Sequence, residues 1–118
     1  MGKHSKGNGE EEMNKKYFYY GKEEDIFAVH NGFSDDEKFK GNIVVGDLIL
    51  DMSTKGRVRG IEIMNASMFF KEIPFEDIID ANLEASKSRE AIMISILFKS
   101  KTAEIPARIA VPIEMAKV

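Results

Sequence analysis

The sequence predicts an α+β fold, dominated by an antiparallel β-sheet of about six or seven strands with two or three short helices. From Tyr17 onward, short apolar runs alternate with turn residues, a pattern typical of antiparallel strands. The candidate helices are short because Gly41 and Pro74 end them. A chain of 118 residues can bury one modest core, so we expect a single α+β domain over residues 17–118.

Residues 1–16 have a different composition from the rest of the chain. They contain no aliphatic or aromatic side chain other than two methionines, and they include the acidic run Glu10-Glu11-Glu12. Such a segment buries too little apolar surface to offset the entropy that it would lose on ordering. We expect a disordered arm or a vector-derived remnant, with Met13 as an alternative natural start.

The overall composition excludes several classes of function. The 17 basic residues against 20 acidic residues give a net charge of −3, which argues against a nucleic acid or an anionic membrane as partner. The absence of cysteine excludes disulfides, zinc thiolate sites and thiol nucleophiles, and it is compatible with a cytoplasmic location. No apolar run is long enough to span a membrane.

The first strands form a predicted hairpin. Residues 17–20 are aromatic, residues 21–24 suit a turn, and residues 25–30 suit the returning strand. We expect the tyrosines to lie in a partly buried edge strand or an oligomer interface. His30 precedes the turn dipeptide Asn31-Gly32, and we interpret it as a turn residue in preference to a base or ligand.

Two segments have the signals of short helices. Ser34 can cap a helix of at most two turns that ends at Gly41, and Glu37 can reach back to Ser34 as in a capping box. Asn65 can cap a second helix over residues 66–72, before Pro74. Residues 75–79 suit one further turn.

The strongest local pattern is a hairpin of residues 43–52 and 57–64 around a turn in which Gly56 has a positive φ. This register places Asp51 opposite Arg59. It also divides the apolar side chains between two faces: Leu48, Leu50, Met52 and Val58 on one, and Ile49, Ile61 and Ile63 on the other. We expect helices to cover one face, and a partner or the second half of the chain to cover the other.

The C-terminal part alternates with a period of two, which predicts three more strands near residues 80–86, 91–98 and 104–112. Apolar residues occupy one face of each strand. The prolines Pro106 and Pro112 lie on the opposite face of the last strand, which indicates an edge strand.

Three blocks of the sequence resemble a known family. They are Tyr20-Gly21-Lys22-Glu23-Glu24-Asp25-Ile26-Phe27, Gly46-Asp47-Leu48-Ile49-Leu50-Asp51 and Gly60-Ile61-Glu62-Ile63-Met64-Asn65-Ala66-Ser67. Over about residues 20–71, the chain is similar to a family of small prokaryotic proteins, domain of unknown function 2283. The resemblance implies a compact β-meander with a short helix, without an established activity, and suggests toxin proteins as partners.

Two candidate sites depend on carboxylates. Residues 51–62 place Asp51, Ser53, Gly56 and Glu62 at the positions of a calcium loop, but Lys55 and Arg59 place cations at ligand positions. A hairpin turn therefore explains the segment better. We expect Glu62 to be partly buried in a central strand, a condition that also marks catalytic carboxylates, with Asp47 as a second carboxylate only in another register.

Two hypotheses about function follow, together with a predicted homodimer. The first is a non-enzymatic protein-interaction or regulatory module, possibly antitoxin-like, in the cytoplasm. The second is a small-ligand or metal-binding site, with or without catalysis, around Asp47, Asp51 and Glu62. An RNA-binding surface of Lys55, Arg57 and Arg59 with the N-terminal tyrosines is a weaker alternative. The sequence contains no nucleotide-binding or hydrolase motif, and we assign no catalytic residue, cofactor or metal ligand.

Overall fold

A computed structural model describes residues 15–114, so the predicted arm of residues 1–16 lies almost entirely outside the described residues. The described chain forms eight strands in two antiparallel sheets. The strands are β1 (Tyr17–Gly21), β2 (Ile26–His30), β3 (Phe39–Val45), β4 (Leu48–Ser53), β5 (Val58–Met64), β6 (Asp80–Lys87), β7 (Ala91–Lys99) and β8 (Glu104–Pro112).

The five-stranded sheet has the order β1-β2-β5-β4-β3, and the three-stranded sheet has the order β6-β7-β8. The predicted hairpins of β1 with β2 and of β4 with β5 therefore form, with β5 in the middle of the larger sheet. The single strand predicted over residues 43–52 is wrong, because a turn at Gly46 and Asp47 divides it between β3 and β4. The strands β1 and β8 lie at sheet edges, as the aromatic run and the two prolines predicted.

The inner face of the five-stranded sheet consists of two apolar rows that cross the strands. Cross-strand neighbours form each row because alternate side chains of a strand point to the same face. One row is Tyr20, Phe27, Ile63, Leu48 and Val45, and the next is Phe18, Val29, Ile61, Leu50 and Ile43. The central members of both rows are fully buried.

The three-stranded sheet covers this inner face. Its own inner face is equally apolar and contains Ala81, Leu83, Ile92, Ile94, Ile96, Phe98, Ala107, Ile109 and Val111. The Phe98 ring has its centroid 5.1 Å from that of Phe27 and 5.6 Å from that of Phe75, so it joins both sheets and the connecting segment. The Asn31 side chain donates a 2.9 Å hydrogen bond to the Leu83 carbonyl and adds a polar tie between the sheets.

The predicted α+β class is wrong, because strands make up 56% of the described structure and the helices are reduced to one short piece and a turn. The helix α1 covers only Ala66–Phe69, and a 3₁₀ turn covers Phe75–Asp77. The chain leaves the helix at Phe70, where Phe70 and Phe75 both turn inward onto Phe98. Because the three-stranded sheet fills the position expected for helices, few helical turns are needed.

The helix predicted between Ser34 and Gly41 does not form, although the capping-box contacts of Ser34 and Glu37 do. The Ser34 backbone N–H and hydroxyl both donate to the Glu37 carboxylate at 3.0 Å. Lys38 then pairs with Thr54 through two hydrogen bonds, which draws the chain directly into β3. The pairing with Thr54 therefore replaces the helical bonds that the local sequence predicted.

Within residues 15–114, neither helical element has the length and apolar character needed to cross a membrane.

We predict that Phe98→Ala lowers the free energy of unfolding by about 4 kcal/mol, because it removes a fully buried ring at the junction of both sheets. Met93→Ala is the matched control, since Met93 lies on the opposite face of the same strand and is 39% exposed. We expect this control to change the free energy by less than about 1 kcal/mol in urea unfolding. Equal effects of the two substitutions would contradict the assigned position of the core.

Candidate functional site

A one-residue bulge in the central hairpin determines which side chains reach the outer face of the five-stranded sheet. Met52 pairs with Val58, as predicted, and Gly56 has a φ of 76°. The pairing then shifts, so Asp51 lies opposite Gly60 and Arg59 is the extra residue. The predicted Asp51–Arg59 pair is therefore wrong. The shift also explains why Ile61 and Ile63 face the core together with Leu48 and Leu50.

The outer face carries a pocket of about 710 Å³ at one end of the sheet. A cross-strand row forms its floor: Tyr17, His30, Asp51 and Asn42 line the pocket, and Gly60 lies in the same row between His30 and Asp51. Further lining comes from the residues before β1, the segment between β2 and β3, the start of β3 and the next row: Lys15, Lys16, Phe33, Phe39, Ile49 and Glu62. A second bulge, between Phe39 and Gly41, aligns Phe39 with Ser53 and so brings it to this face.

His30 is the centre of an aromatic group that also contains Tyr17, Phe33 and Phe39. The Tyr17 ring stacks on the imidazole at a centroid distance of 5.7 Å, and Phe33 meets it edge-on at 5.0 Å. Phe39 packs against Phe33 at 6.5 Å. His30 is only 5% exposed, so the prediction of a simple turn residue is wrong.

The hydrogen bonds of His30 define its state. The Gly32 backbone N–H donates to Nδ1 at 2.8 Å, so Nδ1 is unprotonated and Nε2 carries the hydrogen. Nε2 lies 3.5 Å from Oδ2 of Asp51. Burial lowers the pKa of His30, and the opposing effect of Asp51 is smaller. The imidazole is therefore neutral near pH 7 and supports the aromatic group without adding charge.

Gly60 makes room for the imidazole. A Cβ atom at this position would lie 2.2 Å from Cδ2 of His30, which is closer than any real contact. The ring of His30 therefore lies directly on the backbone of β5, and the pocket floor requires glycine here.

Asp51 is a partly buried carboxylate whose partners in the described chain are neutral. Its side chain is 26% exposed. The Asn42 side-chain amide donates to Oδ1, and the neutral His30 lies beside Oδ2. Within residues 15–114, no Lys or Arg forms an ion pair with Asp51. A carboxylate in this position is usually paired with a cation.

The structure brings together only two of the three predicted carboxylates. Glu62 lines the same pocket as Asp51, but it is exposed, so the expected partial burial is wrong. Asp47 lies in the β3–β4 turn, where its carbonyl accepts a 2.7 Å hydrogen bond from the Met64 backbone. Asp47 therefore belongs to the turn and lies outside the pocket lining.

A buried ion-pair cluster holds the segment that carries Phe33. The Glu37 side chain is fully buried and accepts a 2.9 Å bond from Nε of Arg57, and Nε of Arg59 lies 3.4 Å away. Nε of Arg59 also donates to the Gly32 carbonyl at 2.8 Å. Burial by itself raises the pKa of Glu37. Hydrogen bonds, first from the Ser34 backbone and then from the Ser53 hydroxyl, outweigh burial and lower this pKa to about 2.

The same ion pairs bear on the RNA-binding alternative. Arg57 and Arg59 are bound to Glu37, and Lys55 pairs with Asp36. The acidic segment before β3 therefore neutralises the three basic residues of the hairpin, which leaves little positive potential for a phosphate backbone.

Other residues of the family-like blocks support the fold. The Tyr20 hydroxyl donates to the Asp25 carboxylate at 2.7 Å, and Asp25 also accepts hydrogen bonds from the Ser67 hydroxyl and backbone. The Tyr20 bond is the largest of the effects that lower the pKa of Asp25. Asp25 therefore caps α1 in the place predicted for Asn65, which has a φ of 53° and makes no side-chain cap bond.

In the part of the chain that the structure describes, no group of three or more His, Asp or Glu side chains is arranged to hold a metal ion. The candidate calcium loop forms the β4–β5 hairpin, as the cations within it predicted. Sequence reasoning missed Tyr17, His30, Phe33 and Phe39 as pocket residues. The local signal for His30 is its place as the last residue of an apolar strand, whereas the neighbouring Gly60 is identified only by the pairing of β2 with β5.

We predict that Gly60→Ala lowers the free energy of unfolding by about 2 kcal/mol, because the new methyl group displaces the His30 ring. Gly41→Ala is the control, since a Cβ atom at Gly41 meets nothing within 4 Å. We expect the control to stay within about 0.5 kcal/mol of the wild type. Urea unfolding measures both values, and similar costs would refute the close contact between His30 and Gly60.

We predict that Glu37→Gln lowers the free energy of unfolding by about 3 kcal/mol near neutral pH, because two arginines lose their buried anion. The folded pKa of about 2 lies below the ordinary 4.5, so the stabilisation is present above pH 4.5 and is lost toward pH 2. The difference between wild type and variant should therefore shrink over this range. Asp36→Asn, which alters an exposed pair, should leave stability near the wild-type value. A pH-independent difference would contradict this role of Glu37.

Comparison with known proteins yields one family. The search of curated proteins found no match, and the search of solved structures found none either. Residues 18–67 match the model of the family described as "Protein of unknown function (DUF2283)". The matched segment contains most of β1, all of β2 to β5 and the start of α1, so β6 to β8 lie beyond it. The predicted partial resemblance is confirmed: the segment that builds most of the five-stranded sheet is similar to this family of unknown function, whereas Lys15, Lys16 and Tyr17 of the pocket lie before the match.

Proposed function

We propose that the protein is a non-enzymatic interaction module that binds another protein through the outer face of the five-stranded sheet. The observation that carries this proposal is the pocket of about 710 Å³, which places aromatic side chains beside the cation-free carboxylate of Asp51. Proteins usually bind their ligands in pockets that have apolar walls and a few convergent polar groups.

Exposed apolar side chains continue from the pocket across the outer face. The row beside the pocket floor contains Tyr19, Ala28, Glu62, Ile49 and Val44. Val44 is 65% exposed, Tyr19 is 51% exposed, and Phe39 in the pocket wall is 43% exposed. Exposed apolar side chains on one face of a sheet are typical of a protein-binding surface, and tyrosine and phenylalanine are enriched in such surfaces.

The arrangement of His30 favours binding over catalysis. Its Nδ1 lone pair accepts the Gly32 N–H, so Nε2 carries the ring hydrogen, 3.5 Å from Oδ2 of Asp51. Neither nitrogen is left to accept a proton from a substrate in the pocket. The imidazole therefore acts as a rigid wall between Tyr17 and Phe33.

The predicted homodimer stays a prediction, and the outer face suits a different protein better than a second copy. Glu62 is at the middle of its cross-strand row, on the central strand of the sheet. A two-fold axis through the middle of this face would bring two Glu62 carboxylates together, which costs free energy. The cytoplasmic location and the regulatory, antitoxin-like role also stay predictions, and the second depends on which protein binds.

The proposal is tested by panning a random peptide library against the immobilised full chain and measuring the affinity of the selected peptides. We expect Phe39→Ser and Tyr17→Ser to weaken binding at least about tenfold, because both rings belong to the pocket wall. Met93→Ser is the matched control on the outer face of the three-stranded sheet, and we expect it to bind like the wild type.

Two results would contradict the proposal. One is the failure of repeated panning to enrich any peptide. The other is enrichment of peptides whose affinity is the same for the wild type and for both pocket variants, because such peptides bind elsewhere. Thermal unfolding of each variant checks that a loss of binding does not reflect a loss of folding.

A further inference from the structure

We infer that the outer-face pocket receives an arginine side chain of the partner protein, with its guanidinium between the aromatic group and the carboxylates of Asp51 and Glu62. This inference rests on the proposed function and adds to it the chemistry of the partner. It is carried by the geometry of the two carboxylates, the orientation of the rings and the charge of the pocket floor.

Two carboxylates, those of Asp51 and Glu62, line the pocket. Asp51 is three-quarters buried beside the neutral His30 and Asn42, and Glu62 lines the same pocket from the neighbouring strand. Within residues 15–114, neither carboxylate has a cationic partner. A cation from a second molecule would compensate the cost of burying Asp51 and would gain the attraction of Glu62.

The charges of the two carboxylates create a negative electrostatic potential at the Tyr17 hydroxyl. Burial raises the pKa of the Tyr17 hydroxyl, and the charges of Asp51 and Glu62 raise it further. Both carboxylates therefore act on the same ring at the mouth of the pocket. A cation that stacks on Tyr17 would lie in the field of both groups.

Two lysines, Lys15 and Lys16, also line the pocket. Nζ of Lys16 donates to the Asn82 side chain in the three-stranded sheet, and this bond draws it toward that sheet. Lys15 is exposed. Neither ammonium is paired with Asp51 or Glu62 in the described chain, so the negative potential of the pocket floor is available to a partner.

The exposed ring of Tyr17 favours arginine over lysine as the side chain that enters the pocket. Tyr17 lies parallel to the imidazole, with an interplanar angle of 10°, and it remains 46% exposed. A planar guanidinium can stack on such a ring and still direct its N–H groups to a carboxylate, whereas an ammonium has no plane to stack. Arginine is also more weakly hydrated, which lowers the cost of entering an aromatic pocket.

The inference is tested with the peptides selected by panning on the full chain. Each peptide is resynthesised with citrulline in place of arginine, which keeps the shape and removes the charge. We expect affinity to fall at least about tenfold, and lysine in the same position to restore only part of it. Asp51→Asn and Glu62→Gln should weaken the arginine peptide and leave the citrulline peptide nearly unaffected, because the lost interaction is then already absent.

Glu84→Gln is the matched control. It removes the same charge from β6, where Glu84 is exposed outside the pocket lining, and it should not change the affinity for the arginine peptide. Because Glu62 is exposed, Glu62→Gln should fold normally, so the test does not depend on the Asp51 variant alone.

The outcomes separate this inference from the proposed function. If peptides bind at the pocket and the citrulline versions bind equally well, the arginine inference is overturned and the interaction module stands. If Glu84→Gln weakens binding as much as Glu62→Gln does, the overall negative charge of the protein attracts the peptide and no specific pocket is needed. The inference is then overturned as well. If no selected peptide responds to the pocket variants, both proposals fail. A loss with citrulline that depends on Asp51 and Glu62 supports both.

Discussion

One extra residue in the central hairpin sets the arrangement of the whole structure. Because Arg59 has no partner in β4, the pairing shifts and Ile61 and Ile63 join the face that the second sheet covers. The same shift turns Glu62 to the opposite face, where Asp51 lies because it alternates with Leu50 along β4. A regular ladder would have exposed part of the core and buried part of the polar row, so core and pocket have a single origin.

The bulge is itself held by a contact with a distant segment. The Arg59 side chain binds the Gly32 carbonyl and lies beside the buried Glu37. This segment in turn carries Phe33, which closes one side of the pocket against His30. The ion-pair cluster thus connects the register of the central hairpin to the wall of the proposed binding site, although none of its charges lines the pocket floor.

Local sequence patterns predicted most of the strands, whereas they did not predict the outer-face pocket. Local patterns located seven strand segments, and Gly56 correctly indicated the turn of the central hairpin. They did not separate β3 from β4, because residues 43–52 were predicted as one strand and the start of β3 as the end of a helix. The pocket depends on which strands become neighbours. Asp51 and Glu62 were recognised as candidates, but His30 was interpreted as a turn residue because nothing near it in sequence indicates that Gly60 will lie beneath its ring.

The sequence by itself determined the positions of every strand except β3, the edge character of β1 and β8, and the family-like segment, because each depends on neighbouring residues or short motifs. Only the tertiary structure decided that a second sheet takes the place of the predicted helices. It also decided the register that brings Asp51 to His30 and the pairing that turns Ser34 and Glu37 away from a helix. Contacts between residues far apart in sequence outweighed local preference in each case, because burying apolar faces contributes more free energy than a helical turn.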